Sequence, residues 1–300
     1  MDNTCREKIS RKEFLKRSTG SFVGLGIAGF SAPAVIKRVH AAENVEYRTL
    51  GSSGIKVTAV GLGGSRTNEP SVMKRAFDMG VNFVDTGRMY AQGRNEEMIG
   101  KVIRDFRKSI VIQSKIDQKI QRDKTAMEKS INDSLKALQT DYIDIMIIRG
   151  ANSKDTINNP VVEEVFIQAK EAGKIRLCGF SSHSGESHKV LGMGIEAGFY
   201  DVAMVPYNHA GNFRHSVYGI YSEWDQKALE KGFEHAVTKG MGVIVMKTCS
   251  GGPLKKEGET RGTYQAGLKW NLRNKNISTM AVGMASFREV NEDVCAMGGG

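Results

Sequence analysis

The feature that most constrains the fold is a regular alternation of short apolar runs with longer amphipathic segments. The predicted strands cover 58–63, 81–86, 110–116, 143–149, 175–181, 202–207, 242–248 and 277–283. The predicted helices cover 71–79, 95–106, 125–139, 161–172, 187–197, 225–239, 263–274 and 287–297. The strands are almost continuously apolar, as parallel strands buried on both faces are. Eight strand–helix units of this kind predict a closed (β/α)8 TIM barrel.

An open, doubly wound parallel sheet is the alternative architecture. Its first strand should lead through a glycine-rich phosphate loop directly into a helix. The glycines of Gly61–Gly64 are followed by no such helix, which favours the barrel. Before the barrel, the segment 47–57 contains Gly51–Gly54 between two short apolar pieces, and this pattern predicts a β-hairpin.

The first 42 residues resemble a twin-arginine signal peptide. Ser10–Lys16 matches that export motif, with Lys12 where the second arginine normally stands. An uncharged run, Ser18–Ile36, follows, and the small residues Ala41 and Ala42 suit a cleavage site. We therefore predict a signal peptide over 1–42 that engages the twin-arginine machinery. The exported, periplasmic product would comprise the barrel domain, 43–300, without stable membrane insertion. An uncleaved anchor or a disordered basic arm are the alternatives.

Charge is concentrated in the same N-terminal segment. The chain carries a formal net charge of +10, and the first 42 residues hold eight Lys or Arg against three Asp or Glu. The rest of the chain has no basic block, so no nucleic-acid surface is predicted. The histidines and cysteines share no ligand spacing, so no metal site is predicted either.

An acid, a phenol and an amine are predicted to meet where two neighbouring strands end. Asp85 and Tyr90 follow one apolar run, and Lys115 ends the next. A nearby ammonium lowers the pKa of a tyrosine from its usual value near about 10. Asp85 is expected to pair with Lys115, because an unpaired lysine inside a barrel is costly. The trio is typical of a site that protonates a carbonyl oxygen, and the hydride must come from a nicotinamide.

An isolated Asp and Tyr at this spacing are common, so the prediction depends on their context. Sites in such barrels lie at the C-terminal ends of the strands. Besides the trio, this group contains Arg149, Ser181, Ser182, Tyr207 and Asn208. Their shared position predicts a single pocket.

The chain resembles the aldo-keto reductase family over about residues 46–293. The segments that carry the resemblance are Tyr47–Val57, Asp85–Tyr90, Leu138–Asp144, Gly173–Arg176, Gly179–Ser182 and Pro206–Asn208. The resemblance implies a barrel that reduces an aldehyde or ketone with NADPH or NADH. Tyr90 matches the proton donor, Asp85 and Lys115 match its partners, and Arg149 occupies the fourth catalytic position. The cofactor-binding positions that it implies are Gly63, Gly64, Asp85, Ser181, Ser182, Met204, Met246, Gly283, Ser286, Arg288 and Glu292.

The chain departs from the family pattern at several of these positions. Arg149 replaces a histidine, Ser182 an asparagine, Met204 a glutamine and Met246 a stacking tyrosine. An arginine can polarise a carbonyl, but it stays charged and is bulkier than a histidine. The alternative is that Arg149 points elsewhere and the pocket has lost its catalytic function. The basic residues that grip a 2′-phosphate are not clearly matched, although Arg288 is close. The C-terminal tail after the last helix is short or truncated.

Three functions are compatible with these observations. The first is a reductase of a small carbonyl substrate. The second is a nicotinamide-binding redox sensor or assembly subunit with weak or no catalysis, which the departure at Arg149 motivates. The third is a barrel enzyme of another class, such as a lyase or isomerase, which nicotinamide binding would exclude.

Overall fold

The computed structural model describes residues 45–214, 221–255 and 257–298. The signal peptide predicted over 1–42 lies outside these residues. The strands are β1 (Tyr47–Thr49), β2 (Lys56–Thr58), β3 (Val60–Gly63), β4 (Phe83–Asp85), β5 (Val111–Asp117), β6 (Ile143–Arg149), β7 (Ile175–Ser181), β8 (Val202–Pro206), β9 (Asn212–Arg214), β10 (Tyr221–Glu223), β11 (Gly242–Met246) and β12 (Thr279–Val282). The helices are α1 (Pro70–Asp78), α2 (Arg94–Ile103), α3 (Lys124–Leu138), α4 (Lys154–Ile157), α5 (Pro160–Glu171), α6 (Ser187–Ala197), α7 (Gln226–Thr238), α8 (Tyr264–Leu272) and α9 (Phe287–Cys295).

Eight parallel strands close into a barrel in the order β11-β12-β3-β4-β5-β6-β7-β8. Each strand pairs with the next, and β8 pairs with β11 to complete the ring. The predicted (β/α)8 barrel is therefore confirmed, and the open-sheet alternative is wrong. The carboxyl ends of all eight strands meet at one mouth, which is where sites of this fold lie.

The hairpin predicted near the N-terminus is β1 paired antiparallel with β2. Its apolar side chains Leu50, Ile55 and Val57 are buried together with the residues that fill the barrel interior, including Phe83 and Ile244. A second, larger apolar cluster lies between the strands and the surrounding helices. The interior of the barrel is thus a packed core, and open space is confined to its mouth.

Local sequence determines where the helices begin and end, and α3 illustrates it. Asp123 precedes the helix and its carboxylate accepts a hydrogen bond from the backbone N–H of Ala126. Ile131 and Leu138 lie on the buried face, seven residues apart. Gln139 ends the helix in the left-handed region, at φ +54°. Periodicity and cap residues therefore suffice to predict this element to within one residue.

A short helix and a short pair of strands were not predicted. α4 is a single turn in which Ser153 and Thr156 satisfy each other's backbone, and it has no apolar period to reveal it. The strands β9 and β10 form an antiparallel pair beyond β8. Within the described residues, no helix is both long enough and apolar enough to cross a bilayer.

Candidate active site

A cavity of about 180 Å³ opens at the mouth of the barrel. Eight of the residues predicted from the sequence line it: Gly63, Asp85, Tyr90, Lys115, Arg149, Met204, Met246 and Gly283. They come from seven different strands or the loops that follow them. The closed barrel therefore brings together side chains that are up to about 220 positions apart in the chain, as this fold is expected to do.

The centre of the cavity is a buried ion pair between Lys115 and Asp85. Their exposed fractions are only 3 % and 4 %. The Nζ of Lys115 donates to Oδ1 of Asp85 and, at 2.7 Å, to the carbonyl of Thr86. Gln113 Nε2 donates to the same Asp85 oxygen at 2.7 Å. Asp85 therefore fixes both the charge and the direction of the Lys115 ammonium.

Tyr90 lies directly beside this pair. A tight turn carries it there, because its backbone N–H donates to the carbonyl of Gly87 at 2.8 Å. Ala91 and Gln92 follow in the left-handed region, at φ +49° and +58°, a conformation that non-glycine residues adopt at a cost. The Nζ of Lys115 is 4.8 Å from the centroid of the Tyr90 ring. A phenol, an ammonium and a carboxylate are thus in contact.

The proton affinities in this trio follow from burial and charge. Burial disfavours the charged form of Lys115, but Asp85 and Tyr90 together outweigh burial and raise the pKa of the lysine. Burial raises the pKa of Tyr90, and Asp85 acts in the same direction, while Lys115 and Arg149 lower it. Lys115 lowers the pKa of Tyr90, as expected from the sequence, but burial raises that pKa by more than Lys115 lowers it. Tyr90 is therefore a protonated phenol at neutral pH.

Buried polar contacts behind the trio fix the two loops that carry it. Asn95 accepts a hydrogen bond from Thr86 Oγ1 at 2.7 Å and donates to the carbonyl of Gly64 at 3.0 Å. A Cβ at Gly64 would stand 2.6 Å from the Asn95 side-chain oxygen, so only glycine allows this approach. Glu96 is completely buried and accepts from Ser114 Oγ at 2.6 Å. The first turn of α2 thereby positions the loops after β3 and β4.

Arg149 enters the cavity from the end of β6, and its side chain is 43 % exposed. Its nearest carboxylate is that of Asp117, its cross-strand partner on β5, at 3.7 Å. This pair is long and half-exposed, so it binds the guanidinium weakly. Arg149 keeps donors available to a molecule in the cavity.

Six predicted cofactor-binding residues do not line the cavity: Gly64, Ser181, Ser182, Ser286, Arg288 and Glu292. Ser182 Oγ donates to Asn152 Oδ1 at 2.7 Å, so this short side chain is engaged by the loop after β6. Ser286 caps α9 and accepts from the N–H of Glu289 at 3.2 Å. Arg288 and Glu292 lie exposed on the same helix, 3.9 Å apart. Their roles in binding remain predictions.

The structure also adds residues that sequence reasoning missed. Arg66, His183, Lys247 and Cys249 line the cavity. Lys247 follows β11 directly, so the rule that placed Arg149 at a strand end could also have found it. Instead, the predicted strand 242–248 enclosed Lys247. No cluster of three His, Cys, Asp or Glu side chains suited to a metal occurs in the described part of the chain.

The sequence profile of the Aldo/keto reductase family matches residues 59–298. The chain belongs to this family. The match begins just before the first barrel strand and extends past the last helix, so it covers the whole barrel.

Individual family members are distant from this chain. An uncharacterized oxidoreductase of Bacillus subtilis, YqkF, is 32 % identical over 149 residues, which is 45 % of this chain and 48 % of that protein. The chain thus matches only about half of YqkF. L-Galactose dehydrogenase of Arabidopsis thaliana is 27 % identical over 295 residues, covering 84 % of this chain and 88 % of that enzyme.

Solved structures share the barrel. The aldo-keto reductase AKR11C1 from Bacillus halodurans superposes with a TM-score of 0.67 at 24 % identity, covering 84 % of this chain and 90 % of that one. An aldo-keto reductase from Klebsiella pneumoniae, solved in complex with NADPH, gives 0.65 at 22 % identity with the same coverage. At these identities the likeness establishes the fold.

Replacing Asp85 by asparagine should leave Lys115 buried without a countercharge. We expect the free energy of unfolding, measured by urea denaturation at pH 7, to fall by about 3 kcal/mol. Because the pKa of Lys115 is raised above its usual 10.5, this loss should be complete below that pH and fade only as the pH rises through the folded-state value.

The matched control is Asp78→Asn, which removes an exposed pair with Lys74 on α1. That change should cost less than about 0.5 kcal/mol. Equal losses in the two variants would mean that the buried pair does not stabilise the barrel.

Proposed function

We propose that this protein is an NADPH- or NADH-dependent reductase that converts an aldehyde or ketone to an alcohol, with Tyr90 as the proton donor. The observation that carries the proposal is the contact of Tyr90 with the buried Lys115–Asp85 pair inside a cavity at the barrel mouth. Family membership supports it, and so does the Klebsiella pneumoniae reductase solved with NADPH.

Reduction requires a proton donor at the carbonyl oxygen. As hydride adds to the carbonyl carbon, the electrons of the π bond move to oxygen, which takes the proton from Tyr90 Oη. The phenolate that results is stabilised by the ammonium of Lys115, whose charge Asp85 maintains. Arg149 lines the same cavity and orients the substrate. A nicotinamide bound in the cavity supplies the hydride.

Several residues suit such a dinucleotide. Gly283 forms the cavity wall after β12, and a Cβ there would stand 2.9 Å from the Cβ of Arg66. Only glycine at this position therefore lets the Arg66 side chain pack against the wall of the cavity. Arg66 offers a cation on the same side, and α9 begins just beyond, at Phe287, so its helix dipole favours an anion at this end. The carboxamide end has fewer donors, because Met204 and Met246 line that part of the wall.

A second candidate is a nicotinamide-binding protein with little catalysis. Two departures from the family pattern, at the positions expected to bind the carboxamide, favour it. Ser182 is hydrogen-bonded to Asn152, and the side chain of Met204 carries no hydrogen-bond donor. Saturable quenching of protein fluorescence by NADPH, with no reduction of any aldehyde in a broad panel, would support this candidate over the reductase.

Replacing Tyr90 by phenylalanine removes only the phenolic oxygen. We expect kcat for aldehyde reduction to fall at least about 100-fold, since general acid catalysis contributes that much. The ring still packs on Lys115, so the Kd for NADPH, measured by fluorescence titration, should change less than about twofold.

Tyr264→Phe is the matched control, because Tyr264 is 53 % exposed at the start of α8 and does not line the cavity. It should retain the activity of the wild type. Full turnover by the Tyr90 variant would remove Tyr90 as the donor and the mechanism with it.

We also infer that the protein is exported and acts in the periplasm. The twin-arginine-like motif Ser10–Lys16 and the small residues before position 43 support this inference. Loss of a signal ending at Ala41 or Ala42 would leave the barrel domain, 43–300, as the mature protein.

Amino-terminal sequencing of the protein from a fractionated Gram-negative host checks this. We expect the periplasmic form to begin at Ala42 or Glu43, and Arg11→Lys combined with Lys12→Gln to retain it in the cytoplasm. An uncleaved chain found only in the cytoplasm would contradict export.

A further inference from the structure

The charges around the cavity do not balance once the Lys115–Asp85 pair is set aside. Arg149 and Lys247 both line the cavity. Among the described residues, the only carboxylate near Arg149 is Asp117, at 3.7 Å, and no ion pair within 4.0 Å involves Lys247. The Nζ of Lys247 lies 5.1 Å from the ring centroid of Phe213, a weak substitute for a counterion. Two cations therefore face the cavity with little compensation.

The closed barrel distributes these groups around the mouth. Tyr90 follows β4, Arg149 ends β6 and Lys247 follows β11. In the ring of eight strands, the steps from β4 to β6, from β6 to β11 and from β11 back to β4 are two, three and three strands. The phenol and the two cations thus surround the mouth from three sides, and a small molecule at its centre can reach all three.

Lys247 is held in this place by its backbone. Its φ is +62°, which side chains other than glycine rarely adopt. Asn208 Nδ2 donates to the Lys247 carbonyl at 3.0 Å and to that of Asn212 at 2.8 Å, fixing the turn after β11. Burial lowers the pKa of Lys247, and Arg149 lowers it further. The second effect is repulsion between two cations, which a bound anion would relieve.

We propose that Arg149 and Lys247 form an anion site, and that the substrate is an aldehyde or ketone carrying a carboxylate. The proposal rests on the proposed reductase function for the reaction, which it narrows to a class of substrate. A guanidinium matches a carboxylate with two parallel hydrogen bonds, and an ammonium adds a point charge. A neutral carbonyl compound would leave both cations unpaired.

The diphosphate of the cofactor is the competing explanation for this charge. Arg66 and Gly283 lie at the mouth next to β3 and β12, on the side of α9. The guanidinium of Arg66 therefore suits the diphosphate of the cofactor. Arg149 ends β6, and β12 is the fourth strand away from β6 in either direction around the ring. Lys247 follows β11, the neighbour of β12, so its position alone does not assign it to either ligand. Lys247 is therefore the residue whose substitution separates the two explanations.

The test uses the full chain with saturating NADPH and two aldehydes of nearly equal shape, 4-carboxybenzaldehyde and the neutral 4-carbamoylbenzaldehyde. We expect kcat/KM of the wild type to favour the carboxylate at least about tenfold, the value of one charge-assisted contact. Lys247→Met should lower this preference at least about fivefold, and Lys247→Arg should retain most of it.

Lys231→Met, an exposed position on α7, is the control and should keep the wild-type preference. Equal kcat/KM values for the two aldehydes in the wild type would overturn the proposal. So would a Lys247→Met variant that binds NADPH at least about tenfold more weakly yet retains the carboxylate preference, because Lys247 would then serve the cofactor.

Titration calorimetry with benzoate and benzamide, with and without NADPH, tests the anion site apart from turnover. We expect benzoate to bind at least about tenfold more tightly than benzamide, and the difference to shrink in Lys247→Met. If neither aldehyde is reduced, the reductase function fails while this titration still decides the anion site. Indistinguishable binding of the two probes would overturn the site even in an active reductase.

Discussion

The site depends on one buried ion pair, that of Lys115 with Asp85. An ammonium inside a barrel is stable only beside a countercharge, and the two strands that supply the partners, β4 and β5, are neighbours in the ring. The pair gives Tyr90 a fixed positive neighbour, and the tight turn after Gly87 gives it a fixed position. The proposed proton transfer uses all three groups, so the ion pair that stabilises this part of the barrel also serves the reaction.

The closed barrel explains why the remaining cavity residues come from distant parts of the chain. Its interior is filled by the hairpin below and by side chains such as Met204 and Met246 above, so space is left only at the mouth. The charge excess of Arg149 and Lys247 at that mouth is a property of this chain. It supplies a physical reason for an anionic substrate where the family fold alone supplies none.

The parts of this account that sequence could predict are those governed by local pattern. The strands β6 and β7 coincide with their predicted bounds because their apolar runs are long and sharply ended. Asp85, Tyr90 and Lys115 were found because strand ends converge in a barrel. The direction in which the pKa of Tyr90 shifts could not be predicted from the sequence, because the burial of Tyr90 is known only from the fold. Lys247 was not predicted to line the site, for a similar reason. The strand ends at Met246, Asn208 donates to the carbonyl of Lys247 just beyond it, and no local sequence pattern encodes that contact.

The proposed function requires that a carbonyl be reduced by hydride in this cavity. The most direct test supplies NADPH carrying deuterium at either the 4R or the 4S position, with an aldehyde, to the full chain. We expect one of the two labelled cofactors, and only one, to transfer a single deuterium to the carbinol carbon, as detected by mass spectrometry and proton NMR. An alcohol that forms without deuterium from either cofactor, or no alcohol at all despite bound NADPH, would contradict it.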